Sequence, residues 1–342
     1  MIEPLAPAPR STELPQALVL NEPEIRSLVT PELALVAVRQ AFVTYARGDA
    51  LLPDVLHMDL PGHRGEIHVK GGFLAGASTW CVKAASAFYD NPGRGLPAAT
   101  GVSLALSAET GFLRALLLDN GYLTELRTGA AGALAADLLA PPNVRQVLIV
   151  GAGGQARYQL EALLEVRRPE RVLVHSRTRA HAEQYAAEMT AAHGIPVELA
   201  DSLPEAAAAS QLIVMTTPTR TPILRAEWLT PGTHITAMGS DLPGKQELFV
   251  DVLEQADVYV ADNVKQTATQ GELQHGLAAK VIKLDDVRSL GDIAAGIQPG
   301  RTSPTQITIA DLTGVGIQDT AIADLAVTLA EATGTGRLLG AH

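Results

Sequence analysis

Residues 145–157 read RQVLIVGAGGQAR, and this stretch restricts the fold more than any other. The apolar run Gln146–Val150 is too short for an ordinary helix and ends at once in Gly151-Ala-Gly153-Gly154-Gln155-Ala156, after which helix formers resume. A buried strand, a glycine turn and a helix start are the parts of a dinucleotide-binding turn. Gly151 permits the tight turn, Gly153 lets the backbone approach a pyrophosphate, and Ala156 lets the helix lie close on the strand. Gly154 and Gln155 open that helix. The phosphates would sit at its N-terminus, where free N–H groups and the helix dipole favour an anion.

The 342 residues suffice for two domains with sizeable cores. A net charge of −11 argues against nucleic acid or an anionic membrane as the main partner, although a local cationic pocket can still bind an anion. The single cysteine, Cys81, excludes an intrachain disulfide and fits a reducing compartment. Its apolar neighbours mark it as a packing residue. The proline-rich start, MIEPLAPAPRSTELPQ, lacks a signal-type apolar core, and residues 1–16 read as a loose tail. No run approaches the ~18 apolar residues of a membrane span. A cytoplasmic protein with no metal site is expected.

Thr30-Pro31-Glu32 starts a helix with an N-cap, a first-turn proline and an acid at the positive end. Leu35, Val38, Phe42 and Tyr45 form its apolar face, and Gly48 stops it. From 51 to 116 the segments VLHMDL, GEIHVKGG, TWCVKAASAF, GVSLALS and FLRALLLD read as strands without intervening helices, hence an antiparallel sheet or barrel-like unit. An alanine-rich helix is expected over 124–140, ended by Pro141-Pro142. Strands then follow at 145–150, 171–175, 196–199, 211–216, 234–238, 257–261 and 306–311. Helices fall at 155–166, 178–193 and 203–209. This alternation predicts an α/β chain with a Rossmann-type doubly wound parallel sheet beside an α+β unit with antiparallel strands. The last long helix is placed at about 317–333.

At the end of the second parallel strand, an NAD site usually carries an acid for the ribose 2′-OH. Here Val172–His175 leads into Ser176-Arg177-Thr178, with no acid between Glu170 and Glu183. Guanidinium binds phosphate through paired hydrogen bonds, so NADP is favoured over NAD. The alternative reading makes Arg177 a surface residue stacking on adenine, with either cofactor accepted.

Four further segments carry the chemistry: Trp80-Cys-Val-Lys83, with Asn91-Pro and Gly95-Leu-Pro97; Asn120-Gly-Tyr-Leu-Thr124-Glu-Leu-Arg127-Thr128; Ala237-Met-Gly-Ser-Asp241-Leu-Pro-Gly-Lys245-Gln-Glu247; and Asp311-Leu-Thr-Gly314-Val-Gly316-Ile-Gln-Asp319. Together with the glycine turn, and in this order over roughly residues 80–325, they resemble the ornithine cyclodeaminase / mu-crystallin family. The resemblance implies a homodimer with a dimer-forming substrate domain (1–130 and 318–342) and a NAD(P)-binding domain (131–317). It also implies hydride transfer between a nicotinamide and the α-carbon of an amino or imino acid. By the same resemblance, Lys83 lies beside the substrate nitrogen and carboxylate, Arg127 pairs with the α-carboxylate, and Asp241 is the acid/base near the imine, with Lys245 just beyond. Thr128, Thr216, Met238 and Gly239 complete the cofactor-facing set. The residue types suit these tasks: a carboxylate calls for a bidentate arginine, and an imine accepts hydride best when its nitrogen is protonated. Burial would raise the pKa of Asp241 and Lys83 or Lys245 would lower it; the sequence leaves that balance open. Glu125 and Glu247 are read as structural.

Ornithine cyclodeaminase carries an arginine in the early strand region and a glutamate ahead of the lysine for the distal amine. Here the early region is Pro53-Asp-Val-Leu-His57-Met, without arginine, and the later one is Gly65-Glu66-Ile-His68-Val-Lys70. Glu66 is a shifted candidate for the glutamate. Lys70 looks like a second cation, suiting a substrate with two carboxylates, or with one carboxylate and an acylamino group. The HVKGG, PGKQEL and C-terminal segments resemble the ectoine-utilisation cyclodeaminase-like and iminosuccinate reductase subgroup. The expectation is an imine reductase or amino acid dehydrogenase. The alternatives are an ammonia-lyase of ornithine cyclodeaminase type with recycled cofactor, and a non-catalytic NADPH-dependent binding protein like mu-crystallin.

Overall fold

The computed structural model describes residues 14–340, so residues 1–13 of the expected tail lie outside the described part. The first half runs β1 (Ala17–Asn21), α1 (Glu22–Leu28), α2 (Pro31–Ala46), β2 (Ala50–Leu51), β3 (Leu56–Leu60), β4 (Gly65–Leu74), β5 (Thr79–Phe88), β6 (Ala99–Ser107), β7 (Leu113–Leu118) and α3 (Tyr122–Leu139). Helix α2 starts where its cap signals place it, with the Thr30 hydroxyl accepting from the Leu33 N–H. Strands β4 to β7 form an antiparallel meander, and β2 and β3 both pair with β4. The sheet stays open rather than closing into a barrel, in the order β16-β1-β7-β6-β5-β4-β2, once β16 (Arg337–Leu339) is added.

One strand departs from the antiparallel expectation. β1 pairs in parallel with β7, Leu18 opposite Ala115 and Asn21 opposite Leu118, and takes β16 on its other edge. Its alternation Ala-Leu-Val-Leu is real, with Leu20 fully buried, but it is five residues long and follows a proline-rich stretch.

The second half alternates: β8 (Gln146–Val150), α4 (Gly154–Leu163), β9 (Arg171–His175), α5 (Arg179–His193), β10 (Val197–Leu199), α6 (Leu203–Ala209), β11 (Leu212–Met215), β12 (His234–Ala237), α7 (Val250–Glu254), β13 (Val258–Ala261), α8 (Val264–Gln270), α9 (Leu273–Ala279), β14 (Arg288–Ser289), α10 (Leu290–Ala294), β15 (Thr308–Asp311) and α11 (Gly316–Thr333). The sheet is parallel throughout, in the order β10-β9-β8-β11-β12-β15-β13-β14. Strand order reverses between β8 and β11, the switch point at which such sheets leave a crevice. The fold class is therefore the expected one. Short helices α7 to α10 add to the pattern because runs of five to seven residues show too little periodicity to read.

Helix α11 leaves the parallel sheet and lies on the antiparallel one. Gly72 permits this, since a Cβ there would stand 2.9 Å from the Gly316 carbonyl carbon. The buried apolar side of α11 (Ile317, Ile322, Ala323, Ala326, Val327) joins one core with Phe42 of α2 and Leu126 and Leu134 of α3. Among the described residues, no helix is long and apolar enough to cross a membrane.

Candidate functional site

The glycine turn sits at the switch point. Gly151 has φ +112°, a conformation reserved for glycine, and a Cβ there would collide with the Thr216 hydroxyl. Its N–H donates to the His175 carbonyl (2.8 Å), locking the turn to the end of β9. Ala156 is fully buried against the strands. Gly153 is the N-cap of α4 and supplies no capping side chain, so the first N–H groups of that helix face outwards. Nothing lies within 4 Å of a Cβ built on Gly153 or Gly154. No side chain therefore covers the backbone donors of the turn, and the open space beside them fits a pyrophosphate. Arg157 braces it from behind, donating to the Ala152 and Gly153 carbonyls (3.0 Å each). Ser176, Arg177 and Thr178 follow β9 beside this turn. Arg177 and Thr178 are exposed, and the Ser176 hydroxyl accepts from the Thr178 N–H (3.4 Å).

Between the two sheets lies a cleft of about 240 Å3, bordered by Gln155, Thr216, Met238 and Gly239 from the parallel-sheet side and by Lys70, Thr124, Arg127 and Thr128 from the other. A side chamber of about 150 Å3 opens from it over the antiparallel sheet. Two periodicities build this junction. On β4, Glu66, His68 and Lys70 project to one face, and on β5, Lys83 and Ala85 do the same. On α3, Thr124, Arg127 and Thr128 recur at helical spacing.

The cations are buried and paired. Lys83 Nζ donates to Asp319 Oδ1 (2.7 Å), and Arg127 Nε donates to the same oxygen (3.1 Å). Arg127 Nη1 donates to Gln318 Oε1 (3.1 Å). Lys70 Nζ donates to the carbonyls of Gly314 (2.8 Å) and Thr313 (3.2 Å). Burial, reinforced by the charges of Arg127 and Lys83, brings Lys70 down to about 8. Burial also lowers Lys83, against the pull of Asp319. Asp319 is held below the usual carboxylate range: burial opposes this, but Lys83 and Arg127 outweigh it.

Asp241, on the loop after β12, accepts from Lys245 Nζ (2.8 Å) and keeps 39% of its side chain exposed to the cleft. Of the two lysines considered for it, Lys245 is the partner, while Lys83 is committed to Asp319. Lys245 Nζ also stands 3.6 Å from Glu66. Glu66 accepts from the Tyr89 hydroxyl (2.9 Å). Burial would push Glu66 up, but His68, Lys245 and Tyr89 together bring it down to about 2.

Glu247 is structural in its contacts. It accepts from the Thr217 N–H (2.6 Å) and hydroxyl (2.7 Å) and from the Gly239 N–H (2.7 Å), fixing the two loops that border the cleft. Burial pushes its carboxyl to about 7. Glu125 is half-buried at the cleft wall, bonded to Gln155, and desolvation there raises it too. Cys81 is fully buried with its thiol pushed to about 12, as a packing residue should be.

Every residue singled out for catalysis or substrate binding borders the cleft or its side chamber: Glu66, Lys70, Lys83, Arg127, Asp241 and Lys245. Sequence reasoning passed over Asp319, Gln318 and Tyr89. Asp319 stood at the end of a quoted motif, but its partners are 236 and 192 residues away, and no local signal announces such a pairing.

The ornithine cyclodeaminase/mu-crystallin family matches residues 16–333. A protein of Rhizobium meliloti that bears the name dehydrogenase is 45% identical over 93% of this chain and 97% of its own. An uncharacterized cyclodeaminase of Sinorhizobium fredii is 42% identical over 95% of this chain and 99% of its own. The solved iminosuccinate reductase of Paracoccus denitrificans, in complex with NAD+, superposes with a TM-score of 0.88 at 34% identity, covering 95% of this chain and 99% of that one.

Proposed function

The chain belongs to the ornithine cyclodeaminase/mu-crystallin family, and from that premise we propose that it is an NAD(P)H-dependent imine reductase acting on a compact imino dicarboxylate of the iminosuccinate type: imino acid + NAD(P)H + H+ → amino acid + NAD(P)+. One observation carries this reading, the cation excess at the cleft. Lys70, Lys83 and Arg127 are all buried there, and among the described residues Asp319 is the only anion bonded to any of them. Two positive charges remain to be matched, which suits two carboxylates better than one. Lys245 stands between Glu66, on the same strand face as Lys70, and Asp241 across the cleft.

The roles follow from geometry. Arg127, whose Nη2 makes no hydrogen bond with the described residues, presents that end of its guanidinium to the α-carboxylate, with Lys83 beside it. Lys70 takes the second carboxylate, or the acyl oxygen of an acylated diaminobutyrate. Asp241, open to the cleft and steadied by Lys245, delivers the proton that makes the imine carbon electrophilic. The Gly151–Ala156 turn would hold the phosphates of the dinucleotide, and Thr128, Thr216, Met238 and Gly239 would border its nicotinamide, which would supply the hydride. Arg177, with Ser176 and Thr178, favours NADP. A homodimer is proposed on family grounds.

Glu66 motivates a second reading. A carboxylate held ionised at the chamber wall could bind a distal amine, as an ornithine cyclodeaminase requires, although here it is already engaged by Tyr89 and Lys245. Following reduced-cofactor absorbance with iminosuccinate, and ammonia release from L-ornithine, separates the two. Stoichiometric oxidation without ammonia supports the reductase. Ammonia at trace cofactor overturns it.

A further inference from the structure

Three charged groups buried at the wall of the cleft call for a reason. The contact between β5, α3 and α11 is already rich in buried apolar side chains, among them Leu123, Leu126, Ile317 and Ile322. Replacing a buried ion cluster by apolar residues is often neutral or stabilising, so the Lys83–Asp319–Arg127 cluster is poorly accounted for as a staple. Its bonding is also lopsided. Both cations converge on Oδ1, while Oδ2 is buried and has no hydrogen-bond partner among the described residues. A carboxylate that merely joined two elements would use both oxygens. Sharing one oxygen instead brings an ammonium and a guanidinium to a single point.

The neighbouring residue completes the clamp. Gln318 Oε1 accepts from Arg127 Nη1 and from the Val315 N–H (3.0 Å), so consecutive side chains of α11 occupy the inner side of the guanidinium. Arg127 Nη2 makes no hydrogen bond with the described residues, and Arg127 borders both the cleft and its side chamber.

We propose that Asp319 is the positioning residue of this site: through one carboxylate oxygen it holds Lys83 and Arg127 side by side and aims both at the substrate carboxylate. The inference rests on the reading of those two cations as carboxylate ligands. Other charged or titratable groups around the cluster are Lys70 on β4, Cys81 on β5, Asp119 after β7, Glu125 on α3 and Asp241 across the cleft. Among them Lys70 also leans on the Asp319 charge.

The test is Asp319→Asn in the full chain, with iminosuccinate formed from oxaloacetate and ammonia and with NADH or NADPH. Asparagine keeps the shape and loses the charge. KM for the imine should rise about tenfold or more, the worth of a charge-assisted hydrogen bond. Its alkaline increase should begin at lower pH than in the unaltered protein, as the lysines lose the anion that sustains them. Cofactor affinity should be unchanged. A KM profile that is only scaled, without moving along the pH axis, overturns the proposal, and so does a parallel loss of cofactor binding. If that variant does not fold, Asp319→Glu takes its place: it keeps the charge and moves the shared oxygen, so KM for the imine should rise several-fold with cofactor affinity unchanged. An unaltered KM in Asp319→Glu overturns the proposal. Absence of turnover by the unaltered protein with any imino acid would instead remove the functional reading itself, and this inference with it.

Discussion

Lys70 and Lys83 stand directly opposite each other across the β4–β5 ladder, both side chains buried. Like charges in register are unfavourable in a sheet, and burial compounds the cost. The arrangement makes sense where an anion arrives to share them. Lys70 titrates at about 8 instead of near 10.5. An anionic substrate binds the charged form, so affinity should hold below pH 8 and decline above it, with a proton taken up on binding near that pH. Lys70→Met should remove this alkaline limb and cost iminosuccinate roughly 10- to 100-fold in kcat/KM, the loss of one or two charge-assisted contacts. A monocarboxylate imine should lose far less. Equal losses on the two substrates would take Lys70 out of the pocket.

Asp241 carries the proton in the proposed reaction, and its only bonded partner among the described residues is Lys245. Asp241→Asn should lower kcat about 10²- to 10⁴-fold, the usual weight of a general acid. The dissociation constant for NADH, read from its fluorescence, should barely move. Normal reduction by this variant would transfer the role elsewhere.

Arg177 is exposed beside the glycine turn, and no carboxylate lies between Glu170 and Glu183 to claim a ribose 2′-OH. Arg177→Ala should weaken NADPH by about tenfold or more, as loss of a phosphate–guanidinium pair would, and leave NADH nearly unchanged. Titration of both cofactors against both proteins decides it. Parallel losses would mean stacking on adenine and no phosphate reading.

The parallel half was legible because each strand is a short apolar run closed by a turn and followed by a helix period, a pattern written locally. The meander β4 to β7 was legible for the same reason. What stayed hidden is non-local. β1 finds its parallel partner β7 nearly a hundred residues on, and β16 joins it from the far end of the chain. In the site, Lys83, Arg127 and Asp241 could be named because their residue types suit a carboxylate and an imine and their segments form motifs. The choice of Lys245 rather than Lys83 as the partner of Asp241 depends on where α11 delivers Asp319. That is decided by packing of the last helix on β4 and β5, and no spacing rule reaches across it.

The glycine turn allows fold and cofactor binding to be pulled apart. At Gly151 the backbone φ of +112° is costly for any other residue, and a methyl would meet the Thr216 hydroxyl. Gly151→Ala should therefore destabilise the protein itself by about 1–3 kcal/mol, seen as a lower Tm without cofactor. At Gly153 the backbone is extended (φ −81°, ψ −171°), and an added Cβ touches nothing within 4 Å. Gly153→Ala should leave the cofactor-free Tm within about a degree or two, because an exposed substitution in a permitted conformation is close to neutral. Its methyl projects into the cradle meant for the pyrophosphate, so NADH and NADPH should both weaken, by about tenfold or more. Calorimetry of the two variants with and without cofactor gives the contrast directly. If Gly153→Ala bound cofactor normally, the phosphates would not lie against this turn, and the nicotinamide would have to reach the cleft another way.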